Sequence, residues 1–365
     1  MPIYKSTGKK DGLQKYIVSV NYTDASGKKR QMKRTAYGIT SAKQLEQELQ
    51  NSISKSAYDK LSFDDVYLEF IKTKKNSVRS TTYNELQGHY EHHIKQQLGD
   101  YKISKIGAKQ LNTWKQSMEE KKLAFTTKML IFRTLSSIFN FAEKNEYIQT
   151  NPMTKIDPFR NAYPEKKEMQ FYTPEEFKQF IDVAYEMAVK KDNYDYYIFF
   201  MIAYYTGARR GEIMALQWAD FKDNKLSITK AYNKNKEITP PKNISSIREV
   251  SLSSQLIDAL QDHKKRQQQY YKNFNENFII CGGNEHLFAI TIDNINKQLA
   301  KERNVKKIRL HDFRHSHASL LINNGVNPLA VAQRLGHSTV EQTLKTYSHL
   351  FEKENDKAVD ILNKF

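Results

Sequence analysis

Apolar residues alternate with polar ones in an early stretch of this sequence, Tyr16-Ile17-Val18-Ser19-Val20-Asn21-Tyr22, and recur at every third and fourth position through most of the chain after Ser62. A strand returns to the same face every two residues and a helix every 3.6, so the chain cannot be one repeated architecture. It must be a small β element followed by a long, mainly helical remainder. Asp24-Ala25-Ser26-Gly27 supplies turn chemistry between Tyr16–Tyr22 and a returning strand over Lys28–Ala36. Ser41 is placed to cap a helix, with Gln44 at the box position and Leu45 and Leu49 four apart.

The helical remainder divides in two. Ser62 caps Phe63–Ile71, where Phe63, Val66, Tyr67 and Phe70 form a stripe, and helices over Tyr83–Leu98, Ala108–Glu120 and Thr126–Asn145 come next. Leu130, Leu135, Ile138, Phe139 and Ala142 read as core of this all-α unit. Asp157–Lys167, with two prolines and mixed charge, reads as a linker. Thr173-Pro174-Glu175-Glu176 then opens a new helix with a capping Thr and Pro in the first position. Tyr194–Tyr205 is apolar nearly all round and so buried, Leu226–Ala231 and Ile247–Leu252 read as strands of one sheet, and Leu310–Asn323, Pro328–Leu335 and Val340–Tyr347 read as helices. The expected fold class is multidomain α+β: a small sheet plus helix at 1–56, an all-α domain at 57–160, and a mainly α domain with a small antiparallel sheet at 161–365.

Charge points to the partner. Of a net +17, +7 lies within residues 1–40, and so concentrated an excess fits a polyanion better than a merely solvated surface. Lys28, Lys29, Arg30, Lys33 and Arg34 crowd one strand, which predicts a sheet laid against a DNA groove. With 39% hydrophobic and 12% aromatic residues, wholesale disorder is excluded. A single cysteine, Cys281, excludes an internal disulfide framework and a cysteine-cluster zinc site. The longest apolar run, Tyr196–Tyr205, is too short for the roughly 18 residues of a membrane span, and the polar start does not read as a signal peptide. These features describe a cytoplasmic protein without membrane contact.

His311-Asp312-Phe313-Arg314 puts an imidazole and a guanidinium on one helix face, and Arg209 comes after a glycine turn at the end of the buried helix. Taken singly, the pair reads equally well as ordinary helix surface, and Arg209 reads more readily as a salt-bridged structural arginine; His337 after Gly336 could cap a helix, and Tyr347 is one of 22 tyrosines. Their order is more telling. Arg209, a hairpin lysine, His311, Arg314, His337 and Tyr347 are the groups a phosphodiester-cleaving site without metal requires. Two arginines clamp non-bridging oxygens, a tyrosine attacks phosphorus, a histidine handles its proton and a lysine protonates the departing oxygen.

The sequence here resembles the tyrosine recombinase (phage integrase) family, in particular the three-domain integrases of temperate phages and integrative elements. Thr206-Gly207-Ala208-Arg209-Arg210-Gly211-Glu212 fits the first arginine box, His311-Asp312-Phe313-Arg314-His315-Ser316-His317-Ala318-Ser319 the second, and Leu335-Gly336-His337 with Thr343 and Tyr347-Ser348-His349 the third. Upstream, His93-Ile94, Leu98-Gly99 and Asn151-Pro152 look like the helical core-binding domain, and the basic hairpin like the arm-binding domain.

The resemblance implies Tyr347 as nucleophile, Arg209 and Arg314 as phosphate clamps, His311 as general base and acid, His337 as a phosphate hydrogen-bond donor and Glu212 as their support. The lysine is Lys242 rather than Lys234 or Lys236, because Ser245, Ser246 and Arg248 continue the family pattern after it, although Pro241-Lys242-Asn243 stands where the family usually has Pro-Lys-Thr. No cofactor or metal is implied. The implied partners are double-stranded DNA at core-type and arm-type sites, three further copies in a tetramer, an excisionase and a host DNA-bending protein, in a bacterial cytoplasm. A type IB topoisomerase shares the chemistry but has no need of a basic arm; a non-catalytic DNA-binding regulator has no need of the boxes; a metal-dependent nuclease needs a carboxylate cluster that Asp312 and Glu212 do not make. The segment Ser348–Phe365 is amphipathic and can pack on its own domain or on a neighbour's.

Overall fold

The computed structural model describes residues 3–23, 29–58, 60–161, 168–241, 243–348 and 362–363. Two compact units result, Met1–Pro164 and Glu165–Phe365.

The first unit opens with an antiparallel sheet of three strands, β1 (Ile3–Lys10), β2 (Leu13–Thr23) and β3 (Lys29–Tyr37), followed by α1 (Ile39–Tyr58). The sequence reading misses β1, because Ile3–Lys10 is polar and broken by Gly8, and its pairing shifts register between Lys5 and Lys9. Nor does Ser41 cap α1. Gly38, with φ +87°, turns the chain directly from β3 into a helix beginning at Ile39, and the Ala42 amide donates to the Gly38 carbonyl. Val18, Val20, Ala36, Ala42 and Leu49 form the small core between sheet and helix. Lys33 and Arg34 of β3 are exposed. Lys29 and Arg30 belong to the same strand; Lys28 and the Asp24–Gly27 turn lie outside the described residues.

A separate core gathers around α2 (Phe63–Lys74), α3 (Ser80–His93), α4 (Lys95–Leu98), α5 (Ala108–Glu120) and α6 (Phe125–Lys144). Ser62 caps α2 through a reciprocal pair, its hydroxyl accepting from the Asp65 amide while the Asp65 carboxylate accepts from the Ser62 amide. The stretch Tyr83–Leu98 is two helices, interrupted at Ile94. Leu130, expected in the core, is exposed; the α6 stripe is Ile131, Leu135, Ile138, Phe139 and Ala142, and Leu130 sits one position off it.

The second unit runs through α7 (Pro174–Lys191), α8 (Asp195–Thr206), α9 (Arg210–Ala215), β4 (Phe221–Lys222), β5 (Lys225–Ile228), β6 (Ala231–Tyr232), β7 (Ile238–Thr239), β8 (Arg248–Ser251), α10 (Ser254–Tyr270), α11 (Ala289–Glu302), α12 (Asp312–Asn323), α13 (Pro328–Leu335) and α14 (Val340–Tyr347). Strands β4, β5 and β8 form an antiparallel sheet, with Leu226 opposite Val250, and β6 and β7 a separate hairpin. The expected strand Leu226–Ala231 is therefore split between two sheets. Buried α8 passes through the core, and the Phe313 ring of α12 packs against Tyr172, Phe180 and Phe200. That aromatic anchor fixes the rotation of α12, and with it the direction of the next residue, Arg314.

Candidate functional site

Five short segments meet where α8 ends. Gly207 stops α8 in the left-handed region, φ +64°, and a side chain there would press to 2.7 Å from Leu335 Cδ2 and 2.9 Å from His317 Cδ2. The first box can thus lie directly against the second and third. Arg209 then caps the start of α9, its amide donating to Glu212 Oε2 at 2.9 Å and its guanidinium to Glu212 Oε1 at 2.7 Å.

Glu212 is buried and serves a second arginine. Arg248, the first residue of β8, donates Nη2 to Glu212 Oε2 at 2.9 Å, Nη1 to the Ser246 carbonyl and Nε to the Arg334 carbonyl at the end of α13. Burial pushes the Glu212 carboxyl pKa up, but Arg248 and then Arg209 outweigh it and hold it below the usual carboxylate range. Gly336, φ +70°, ends α13 so close to this arm that a Cβ would come to 3.1 Å from Arg248 Nη1.

Arg314 is 3% exposed. Its Nη1 donates to the Gly207 carbonyl at 2.9 Å, while Nη2 is buried and finds no acceptor among the described residues. Desolvation, then the charges of Arg209 and Arg248, lower its pKa to about 9. Two guanidinium groups therefore share one carboxylate, while the third and most buried, Arg314, lies within their electrostatic reach and keeps an N–H without an acceptor among the described residues.

Histidines and the tyrosine surround these cations. His311 precedes α12; it remains open to solvent on one side, yet desolvation of its ring and the Arg314 and Arg209 charges lower its pKa. The Nδ1 of His337 pairs with the buried Thr343 hydroxyl at 2.7 Å, and desolvation, Arg314 and Arg209 bring its pKa down to about 4. Tyr347 ends α14 at 1% exposure, packed among Ala318, Ile322, Val331 and Leu335. Burial pushes its hydroxyl pKa up to about 12 against the opposing pull of Arg314. Its hydrogen-bond partner is His315 Nδ1 at 2.9 Å.

Arg209, Glu212, His311, Arg314, His337 and Tyr347, chosen from sequence, thus come within electrostatic reach of one another in the second unit. Lys242 lies outside the described residues. Sequence reasoning assigns no chemistry to Arg248 or His315. The only signal for His315 is its position four residues after His311, which sets the two rings on one face of α12, 5.1 Å apart and perpendicular. Arg248 enters the sequence reading only as part of the pattern after Lys242, and nothing local signals its contacts, because its partners lie 36 and 86 residues away. Among the described residues, no group of three or more His, Cys, Asp or Glu side chains could hold a metal ion.

Comparison with known proteins identifies the family. Residues 170–354 match the Phage integrase family, and residues 62–118 its N-terminal SAM-like domain. The ICEBs1 integrase of Bacillus subtilis is 30% identical over 289 residues, 74% of this chain and 75% of that one. The integrase of Staphylococcus phage L54a is 25% identical over 88% of this chain and 91% of its own. In fold, the chain is similar to the Tn1549 transposon integrase solved with a circular intermediate DNA (TM-score 0.66, 20% identity, 83% and 99% covered). It is also similar to a lambda integrase dimer bound to a core site (TM-score 0.59, 16% identity, 94% of each chain). The chain belongs to the phage integrase family of tyrosine recombinases. It is a site-specific recombinase, and neither the topoisomerase nor the non-catalytic regulator is favoured by these matches.

Proposed function

We propose that this chain cuts and rejoins double-stranded DNA through a 3′-phosphotyrosine bond to Tyr347, integrating or excising a mobile element. The observation that carries the reading is the buried Nη2 of Arg314, unpaired among the described residues and within a crowd of arginines. A buried donor without a partner and cations repelling one another both call for an anion, and a phosphodiester supplies paired oxygens for a guanidinium fork. Arg209 and Arg314 take the non-bridging oxygens, while Glu212 spaces Arg209 and Arg248. His337, neutral and receiving the Thr343 hydroxyl proton at Nδ1, keeps Nε2–H to donate to the phosphate. His311 serves proton transfer at the phosphate as base and acid.

Lys242 is assigned the leaving 5′-oxygen. Ser246, four residues on, is buried with its hydroxyl 3.5 Å from the Gly336 carbonyl, and four residues span at most about 14 Å. Lys236 is engaged elsewhere, its ammonium 5.6 Å from the centre of the Phe288 ring. Residues 1–56 act as an arm-binding domain contacting DNA through Lys28, Lys29, Arg30, Lys33 and Arg34. Residues 57–160 are the core-binding domain and 161–365 the catalytic domain. Four chains assemble on paired core-type and arm-type sites, with an excisionase and a host DNA-bending protein directing the outcome. Among the described residues, no helix is long and apolar enough to cross a membrane.

The test begins by sequencing the junctions made when the element carrying this chain integrates, which yields the core site. On a nicked duplex of that site the parent should accumulate a covalent protein–DNA adduct on a denaturing gel. Tyr347→Phe, which removes one oxygen, should bind as well and form none. An adduct from Tyr347→Phe refutes the assignment.

A further inference from the structure

We propose that His315 is a catalytic residue of this recombinase: it holds the Tyr347 hydroxyl by Nδ1 and takes its proton as the oxygen attacks phosphorus. The inference rests on Tyr347 being the nucleophile and adds to that reading the group that activates it. The geometry selects His315 among the four histidines near the site. Its Nδ1 is 2.9 Å from Tyr347 Oη, within range for direct transfer. The other three have their described contacts elsewhere: His337 Nδ1 with Thr343, His317 between the Tyr204 carbonyl and Arg334, and His311 against the His315 ring, edge to face.

The protonation states suit the step. Desolvation, then the neighbouring His311, lower the His315 pKa to about 4, so the ring is neutral at physiological pH and has a lone pair to offer. The Tyr347 hydroxyl, at about 12, keeps its proton until something receives it. A bound phosphodiester brings negative charge to the site and raises the basicity of the imidazole when transfer is required. In the step itself an Oη–P bond forms, the Oη proton moves to His315 Nδ1, the bond from phosphorus to the 5′-oxygen breaks with its electron pair on oxygen, and that oxygen receives a proton from the Lys242 ammonium. Religation reverses each transfer. This moves the tyrosine's proton from His311, the general base that the family resemblance implies, to His315, and leaves His311 to act on the phosphate oxygens, which its open position before α12 suits.

The experiment is single-turnover adduct formation on the nicked core-site duplex, with DNA binding measured alongside. His315→Ala is expected to bind DNA like the parent and to form the adduct about 10²- to 10⁴-fold more slowly, the range for losing a general base. A ring-fluorinated tyrosine installed at position 347 has a more acidic hydroxyl and less need of a base; in the His315→Ala background it should restore the rate to within about tenfold of the parent. Lost packing would not respond to the acidity of the phenol. His315→Gln retains similar bulk and a hydrogen-bond acceptor but cannot carry the proton. It should be as slow and as well rescued, and it provides the same test if the alanine variant does not bind. A rate within about threefold of the parent for either variant, or a slow rate that fluorination leaves unchanged, overturns the proposal. Tyr347→Phe separates the two levels: an adduct there refutes the nucleophile itself, whereas its absence together with an unaffected His315 variant refutes only the base.

Discussion

Among the described residues Glu212 is the counter-charge paired with Arg209 and Arg248, so replacing it with glutamine tests whether the arginine cluster is held together as described. The carboxylate accepts three hydrogen bonds, from the Arg209 amide, Arg209 Nη1 and Arg248 Nη2. Glutamine keeps one carbonyl acceptor and loses the charge. Breaking a buried ion pair by removing one partner costs ~3–5 kcal/mol. The Arg248 pair is buried on both sides, but Arg248 retains two backbone carbonyls, and the Arg209 pair is 37% exposed on its arginine side and counts for less. The lower end applies, about 3 kcal/mol, or roughly 6–12 °C in the melting of a unit this size. Trp218 is buried in the second unit and Trp114 in the first. In a Trp114→Phe background, fluorescence therefore tracks the second unit through a urea titration. Because the arginines hold the Glu212 pKa below its ordinary value, its contribution is complete above about pH 4.3, the unfolded carboxylate range. It is lost as pH falls through the lower folded value. The gap between parent and Glu212→Gln should accordingly be near its full size at pH 7 and close in acid. A difference below about 1 kcal/mol at pH 7, or one that persists unchanged at pH 3, refutes the account of Glu212 as charge spacer.

Two further expectations concern the ends of the proposed machinery. Lys242→Ala should cleave ordinary core DNA very slowly but recover on a 5′-bridging phosphorothiolate, whose sulfur leaves without a proton; slow cleavage with no recovery moves the acid elsewhere. Removing residues 1–56 should abolish binding to distal arm-type DNA, with a steep salt dependence to the lost affinity, and leave core cleavage measurable; unchanged arm binding refutes that domain's role.

The range of the interactions involved decides which features the sequence reveals and which it hides. The boxes are contiguous, and a glycine before an arginine or an imidazole three residues from a guanidinium can be read locally. Helices such as α2 and α7 announce themselves through caps and stripes that the structure keeps. Strand β1 does not, because its partner β2 supplies the order that its own polar residues lack. Leu130 shows the limit of period counting: shifted by one residue, about 100° around the helix, an apolar side chain leaves the core for solvent. Arg248 and the bond from His315 to Tyr347 exist only once α12, β8, α13 and α14 are folded together.

The crowding of arginines around Arg314 also bears on how long the protein lasts in a cell. A fold that stores repulsion among Arg209, Arg248 and Arg314 is least stable when nothing anionic is bound. DNA that binds only the folded chain stabilises it by mass action, about 2.7 kcal/mol at a concentration a hundredfold above the dissociation constant. An increment of that size changes the unfolded fraction, and hence exposure to proteases, by about a hundredfold. Copies seated on DNA should therefore outlive free copies, so that the number of sites present sets the standing amount of enzyme without any change in its synthesis.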